Sequence, residues 1–334
     1  YNLACDRIRA WHLARGDEVV EGLRPLVDEL DRAYFSVIFT WDIPAMVQQI
    51  LDLKAARPGV DIEIGGPAAT FMAPHIESRT GITPHRGLDM RFEFQQPHDR
   101  PFQLTFTSRG CPHKCKFCGV SKVEPCFLEY DVFPITPMVG DNNILATSRA
   151  HQRRVVNRFE RAGYGWRPRG APGLEVDFNS GFDVRLFKLQ HYWLYSQLHL
   201  QTWRFAFDTR AVEADVRRVA RIMRSHGLDR HQVSFFCLFG FPGTTPEEAL
   251  YRIHTVIELG MNPYPMRFWP LNALKRDYVA PGWTRELLEK VQLYYQTPRW
   301  WMGGLPFEEF KLEYRAGGAV AKEQGELVDL GRGK

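Results

Sequence analysis

Three cysteines within eight residues carry the clearest chemistry in this chain. In Ser108-Arg-Gly-Cys111-Pro-His-Lys-Cys115-Lys-Phe-Cys118-Gly119 the spacing is Cys-x3-Cys-x2-Cys. Three thiolates on one tight loop can hold three irons of a four-iron cubane and leave the fourth iron without a protein ligand. An open position lets a cluster act on a bound molecule, by the logic that separates open catalytic zinc sites from closed structural ones. Zinc, with Cys126 or His113 as fourth ligand, is the alternative. Zinc loops usually present two ligand pairs across a longer spacer, and no second pair is apparent. Of the remaining cysteines, Cys237 lies in an apolar stretch and reads as core, Cys5 as helix packing, and Cys126 as a buried residue.

Further polar residues stand where apolar strand candidates end. Gly140-Asp141-Asn142-Asn143 could bind a ligand or cap the next helix as an Asx turn. Asp177-Phe-Asn179-Ser-Gly181-Phe-Asp183-Val-Arg185 holds a guanidinium suited to bidentate pairing with a carboxylate, and an aspartate that could orient it. Asp208 follows Phe207. Arg267 stands among Tyr264, Phe268 and Trp269, where a lumen-facing strand would oblige it to find an anionic or planar partner: a substrate, or Asp208.

These residues need a scaffold of alternating strands and helices. Residues 33–40 and 61–64 read as strands around a helix over 43–55, a small α/β unit closed by Gly65-Gly66-Pro67. Residues 70–100, rich in Pro, His and Arg, read as a surface linker. Six strand candidates follow, at 103–107, 137–140, 174–178, 203–207, 233–239 and 265–270, with helical segments between them. Six βα repeats are too few for an eight-stranded barrel but suffice for an open six-stranded one. Ligand groups then gather at the carboxyl ends of the strands. The expected organisation is a truncated Rossmann-like unit with linker (1–100), a partial barrel (101–275), a helical extension (276–314) and a loose tail (315–334).

With 334 residues, 44% hydrophobic and 25% charged, the chain can bury a large core, which excludes wholesale disorder. Its net charge of +4 is scattered, so a long polynucleotide partner is not expected and a small molecule is. No apolar run reaches 18 residues, so no membrane span is expected. The residues at the start of the chain lack the apolar stretch of a signal peptide, and the cytoplasm is the expected compartment.

Cys-x3-Cys-x-aromatic-Cys, with Phe117 in the aromatic slot, resembles the signature of the radical S-adenosylmethionine (radical SAM) superfamily, over roughly residues 103–271. The resemblance implies an α/β fold: a partial (β/α)6 barrel, here preceded by a small Rossmann-like domain. It implies a [4Fe-4S] cluster on Cys111, Cys115 and Cys118, and S-adenosylmethionine chelated at the open iron. Reductive cleavage would give a 5′-deoxyadenosyl radical that takes hydrogen from the substrate. An electron donor such as flavodoxin or ferredoxin is implied as a partner. Asp141, Asn142 and Asn143 match in position the turn that holds the methionine amino group. The Asn179, Asp183 and Arg185 stretch resembles that of the cobalamin-related subgroup, with Asn179 toward the ribose and Arg185 toward the methionine carboxylate. Asp208, Tyr264 and Arg267 are the substrate candidates, and nucleosides or modified bases such as deazapurines one implied substrate class. Gly65-Gly66-Pro67 is similar to the last turn of a cobalamin-binding domain, but no Asp-x-His-x-x-Gly precedes Arg100, so the unit is expected to be empty of cobalamin. A cobalamin-dependent methyltransferase and a non-catalytic zinc or cluster module are the rival readings.

Overall fold

The computed structural model describes residues 2–22, 30–96, 99, 103–166 and 171–315. The expected tail beyond 315 lies outside them. Strand β1 (Arg32–Ser36) and strand β2 (Asp61–Gly65) pair in parallel around helix α2 (Ile43–Ala56), as the strand–helix–strand pattern predicts. Ile43, Met46, Val47 and Ile50 of α2 recur at helical spacing and close a small core with Ile62 and Ile64. Helix α1 (Leu3–Leu13) begins at Asn2, whose side chain caps the amides of Ala4 and Cys5.

The stretch predicted as a surface linker is folded instead. Helices α3 (Pro67–Phe71) and α4 (Ala73–Thr80) follow Gly66 directly, and both Phe92 and Glu93 are buried. Proline at a first helical turn starts a helix rather than breaking one, since its missing N–H has no partner there anyway. Gly66 is irreplaceable on two counts. Its φ is +99°, and a Cβ would stand 2.5 Å from the Val37 carbonyl oxygen.

Two three-stranded parallel sheets make up the larger part. Strands β3 (Leu104–Thr105), β6 (Met138–Val139) and β7 (Asp177–Phe178) form one, and strands β8 (Trp203–Ala206), β9 (Val233–Phe239) and β10 (Asn262–Arg267) the other. A parallel bridge between Val176 and Leu200 stands where the sheets meet, so the six strands follow one another in chain order. Between them a short antiparallel pair, β4 (Ser108–Arg109) with β5 (Leu128–Glu129), brackets the cysteine loop. Helix α5 (Val120–Val123) lies inside that bracket. Helices α6 (Arg149–Phe159), α7 (Leu189–Tyr195), α8 (Glu213–Ser225) and α9 (Pro246–Glu258) connect the later strands. Phe205, Phe235, Cys237 and Phe239 turn one sheet face into the main core. Cys237 is thus core, as expected, and burial pushes its thiol up to about 12. No helix among the described residues is long and apolar enough to cross a membrane.

Candidate functional site

The cysteine loop is set at its root by Gly110. Its φ is +79°, and an added Cβ would lie 2.3 Å from the Cys126 carbonyl oxygen. Gly110→Ala should therefore cost about 2 kcal/mol or more, from left-handed strain plus the backbone clash. A denaturant midpoint within error of wild type would refute this. At the other end, Gly119 leaves room for Phe71 of α3, whose ring would be 2.4 Å from a Cβ there. The amino-terminal unit thus leans on the loop itself. Cys126, expected to be buried, has an exposed side chain; its backbone, not its thiol, makes the contact with Gly110.

Beneath the loop runs a buried chain of charges. Arg109 grips Glu93 with two bonds of 2.7 Å and Glu124 with one of 2.9 Å, while Arg7 of α1 reaches Glu93 at 2.8 Å. Glu124 also accepts from the Gly110 amide at 2.6 Å and from Asn142 Nδ2 at 2.7 Å. All four charged residues are at most 9% exposed. Burial works against the Arg109 charge, and the two carboxylates outweigh it, so its pKa is raised. None of Glu93, Arg109 and Glu124 stood out in the sequence. The one available signal was an arginine and glycine directly preceding the first cysteine.

The three thiols are half-buried, and strand ends converge on them. Asn143 Nδ2 lies 3.7 Å from Cys111 Sγ and 3.0 Å from Asp183 Oδ2. Asp183 accepts both Nε and an Nη of Arg185 at 2.7 Å, and His113 Nε2 stands 3.1 Å away. Burial would raise the Asp183 carboxyl, but Arg185 and Asn143 prevail and lower it. The Arg185 pKa is raised chiefly by Asp183, against the cost of burial, and Cys115 adds to the rise. Burial pushes the Cys118 thiol up, opposed by the Val120 amide at 3.5 Å, and the nearby Cys115, Cys111 and Asp208 add to the rise. Cys111, Cys115, Cys118, Asn143, Asp183, Arg185 and Asp208 therefore share one neighbourhood.

Three expected contacts are corrected. Asp141 is 3% exposed, and both its oxygens are spent on Thr107 and Ser108, at 2.5–2.8 Å. It braces the ends of strands rather than presenting a carboxylate to a ligand. Asn142 is turned to Glu124. Only Asn143 of the three retains a buried, unpartnered oxygen, Oδ1. Arg267 lies on the face of its sheet that packs into the main core, not on the face that carries Tyr264. Register puts Arg204, Ser234 and Asn262 in one row and Ala206, Phe236 and Tyr264 in the next, while Arg267 pairs with Phe239 on the opposite face. There it donates to the Tyr278 carbonyl at 3.2 Å and lies 4.3 Å over the Trp269 ring.

Asp208 is partly buried and Tyr264 exposed. Tyr264 is 40% exposed and meets Phe236 edge-on. Asp208 accepts from the Leu238 amide at 3.2 Å, and burial pushes its carboxyl up to about 6. Its setting is fixed by Arg252 of α9, which is fully buried and donates to the Phe207 and Leu238 carbonyls at 2.7 Å each. An arginine within an amphipathic helix reads as surface, so the sequence conceals it. In the lower row Arg204 pairs with Asp177, another contact only the fold brings together. Asn179 is exposed at the end of β7, and Phe117 stacks edge-on against Phe241.

The residues present fit a three-thiolate cluster. The donor set is soft, and beside Cys111 the buried Asn143 oxygen lacks a hydrogen-bond donor that a bound molecule could supply. Of the two residues the zinc reading needs as fourth ligand, His113 keeps a buried Nε2 that makes no hydrogen bond although it stands 3.1 Å from Asp183 Oδ2, and Cys126 has an exposed side chain. Among the described residues no three of His, Cys, Asp and Glu converge on a single-ion site.

The parallel βα units that carry this cysteine loop are similar in fold to a solved structure. One such structure is that of TsrM, a radical S-adenosylmethionine methyltransferase from Kitasatospora setae solved with cobalamin and a [4Fe-4S] cluster bound, to which this chain is similar with a TM-score of 0.51. The match has 12% sequence identity and covers 72% of this chain and 64% of that one, so the chain spans less than two thirds of that protein. At such identity the likeness is one of fold, and it agrees with the resemblance carried by the cysteine motif. No family model and no curated protein matches the sequence.

Proposed function

We propose that the chain is a radical SAM enzyme on a partial (β/α)6 barrel, acting on a small molecule. The observation that carries this reading is the convergence of three half-buried thiols with Asn143, Asp183 and Arg185 from two further strand ends. When bound and reduced, the cluster would supply the electron that splits S-adenosylmethionine into methionine and a 5′-deoxyadenosyl radical, which abstracts hydrogen from the substrate. The chain's own residues hold and orient. Cys111, Cys115 and Cys118 would ligate three irons. Asn143 Oδ1 would accept from the methionine amino group, the exposed edge of Arg185 would face its carboxylate, and Asn179 the ribose. Phe117 would wall the loop against Phe241. Asp208 and Tyr264 would meet the substrate, and the half-exposed aromatic row of Phe236 and Tyr264 suits a planar ligand such as a nucleoside or modified base. The domain limits proposed above and a cytoplasmic setting belong to the same reading.

A second reading adds cobalamin and makes the protein a methyltransferase. It is favoured by the fold shared with TsrM and by the Gly66 turn, which lies beside the β1 end in a parallel strand–helix–strand unit. Equilibrium dialysis with methylcobalamin separates the two: retention at micromolar ligand supports the second, and none excludes it.

The primary reading is tested by 5′-deoxyadenosine release from dithionite-reduced protein across pools of small molecules. Release that rises with one pool is expected. No release from any pool, by protein that carries its iron, would contradict it.

A further inference from the structure

We propose that Arg204 anchors a carboxylate-binding subsite low on the sheet face that carries Tyr264, and that its ligand is a planar molecule bearing a carboxylate. That this ligand is the substrate rests on the enzyme reading above. Asp177 accepts from one Nη of Arg204. The Nε and the other Nη make no hydrogen bond among the described residues. Those two donors form the side edge of the guanidinium, which matches a carboxylate in a bidentate pair. Ser234 stands beside Arg204 in register, and Asn262 beside Ser234. Ser234 is 8% exposed, and neither its hydroxyl nor the Asn262 amide has a hydrogen-bond partner among the described residues. Polar groups removed from water are rarely left so. Three of them in one row, on three adjacent strands, make a floor that receives a polar ligand group.

Charge decides for a carboxylate over a neutral group. Arg109 is buried against two carboxylates, which outweigh burial and raise its pKa, whereas Arg204 meets one, and burial lowers its pKa. A ligand carboxylate would do for Arg204 what the second glutamate does for Arg109. The position is fixed on both sides, by Asp177 at the guanidinium and by the Phe182 amide, which donates to the Arg204 carbonyl at 2.7 Å. The depth is also suitable. Arg204, Ala206 and Asp208 succeed one another along one face of the chain, in rows about 6.6 Å apart. The middle row holds Phe236 and Tyr264, and the upper row holds Asp208, near enough to Cys118 to raise its thiol. A ligand with its carboxylate on Arg204 would lay its rings along Tyr264 and point its far end toward the thiols. The opposite face of the sheet, with Phe205, Phe235 and Cys237, is filled by the main core.

The probes are 2-naphthoate and 2-naphthamide, alike in shape and different in charge, titrated calorimetrically into the iron- and sulfide-reconstituted full chain. Wild type should bind the naphthoate more tightly, by about tenfold or more. Arg204→Gln should bring the two affinities within about threefold of each other, by weakening the naphthoate alone. Should that variant fail to fold, Asn262→Asp carries the same test. Asn262 is partly exposed at the start of edge strand β10, and an acid there either repels the naphthoate or takes the free edge of Arg204 itself. The naphthoate should again lose about tenfold or more, with the naphthamide unchanged. Equal binding of the two probes by wild type, binding of neither, or a naphthoate preference that survives substitution would overturn the subsite. The response of the cluster signal to S-adenosylmethionine is recorded on the same preparations. A naphthoate preference that Arg204→Gln removes, in protein whose signal ignores S-adenosylmethionine, would uphold the subsite and overturn the enzyme reading instead.

Discussion

Replacing Cys111, Cys115 or Cys118 with alanine should each abolish iron binding almost completely. The wild-type protein, reconstituted anaerobically, should hold about four irons per chain with a broad band near ~400 nm. A cubane left with two thiolates has two irons open to solvent and oxygen, so intermediate occupancy is not expected. Cys126→Ser should retain iron, since that side chain is exposed and the contact beneath it is made by the backbone. Iron and sulfide analysis across the four variants checks this. Loss of metal in the Cys126 variant as severe as in the others would favour a four-ligand zinc site and remove the open iron.

The second large effect is expected below the loop. Glu124→Gln takes a charge from a buried network in which it serves Arg109, the Gly110 amide and Asn142 together. Breaking one member of a buried pair leaves the partner's charge uncompensated, at a cost of about 3–5 kcal/mol. Because Gly110 precedes Cys111, iron retention should fall along with the denaturant midpoint. Arg91→Ala is the control. Arg91 also meets two carboxylates, Asp89 and Glu63, but its side chain is 46% exposed, and such a surface pair is worth about 1 kcal/mol or less. Equal losses in the two variants would show that the buried network has no special hold on the loop.

What the sequence made legible follows from how local each signal was. Strand β9 was predicted at its observed limits, residues 233–239, because a continuous apolar run needs no partner to be recognised. The cysteine loop was equally plain, its spacing being contained in eight residues. Strand β10 was predicted three residues too late: it spans Asn262–Arg267, and two of its prolines sit in an edge strand, where a missing N–H is tolerated. The side chain of Arg267 was accordingly assigned to the wrong face, since sheet faces alternate with every residue and the choice depends on register. The stretch around Glu93 misled for another reason. A glutamate reads as surface until the fold supplies Arg7 from 86 positions earlier and Arg109 from 16 positions later. Asp141 and Arg252 share that character, being polar residues whose burial is repaid only by partners on other elements. The site was thus legible where ligands are neighbours in sequence, and hidden where they are brought together by packing.

The most direct measurement of the central assignment is electron paramagnetic resonance of the dithionite-reduced, reconstituted protein with and without S-adenosylmethionine. A cluster held by Cys111, Cys115 and Cys118 alone has one iron open to the methionine amino and carboxylate groups. Its signal should shift on adding S-adenosylmethionine, and the shift should weaken in Asn143→Ala at unchanged iron content. An identical spectrum with and without S-adenosylmethionine, from protein holding its full iron, would contradict the assignment and leave a cluster-bearing binding module.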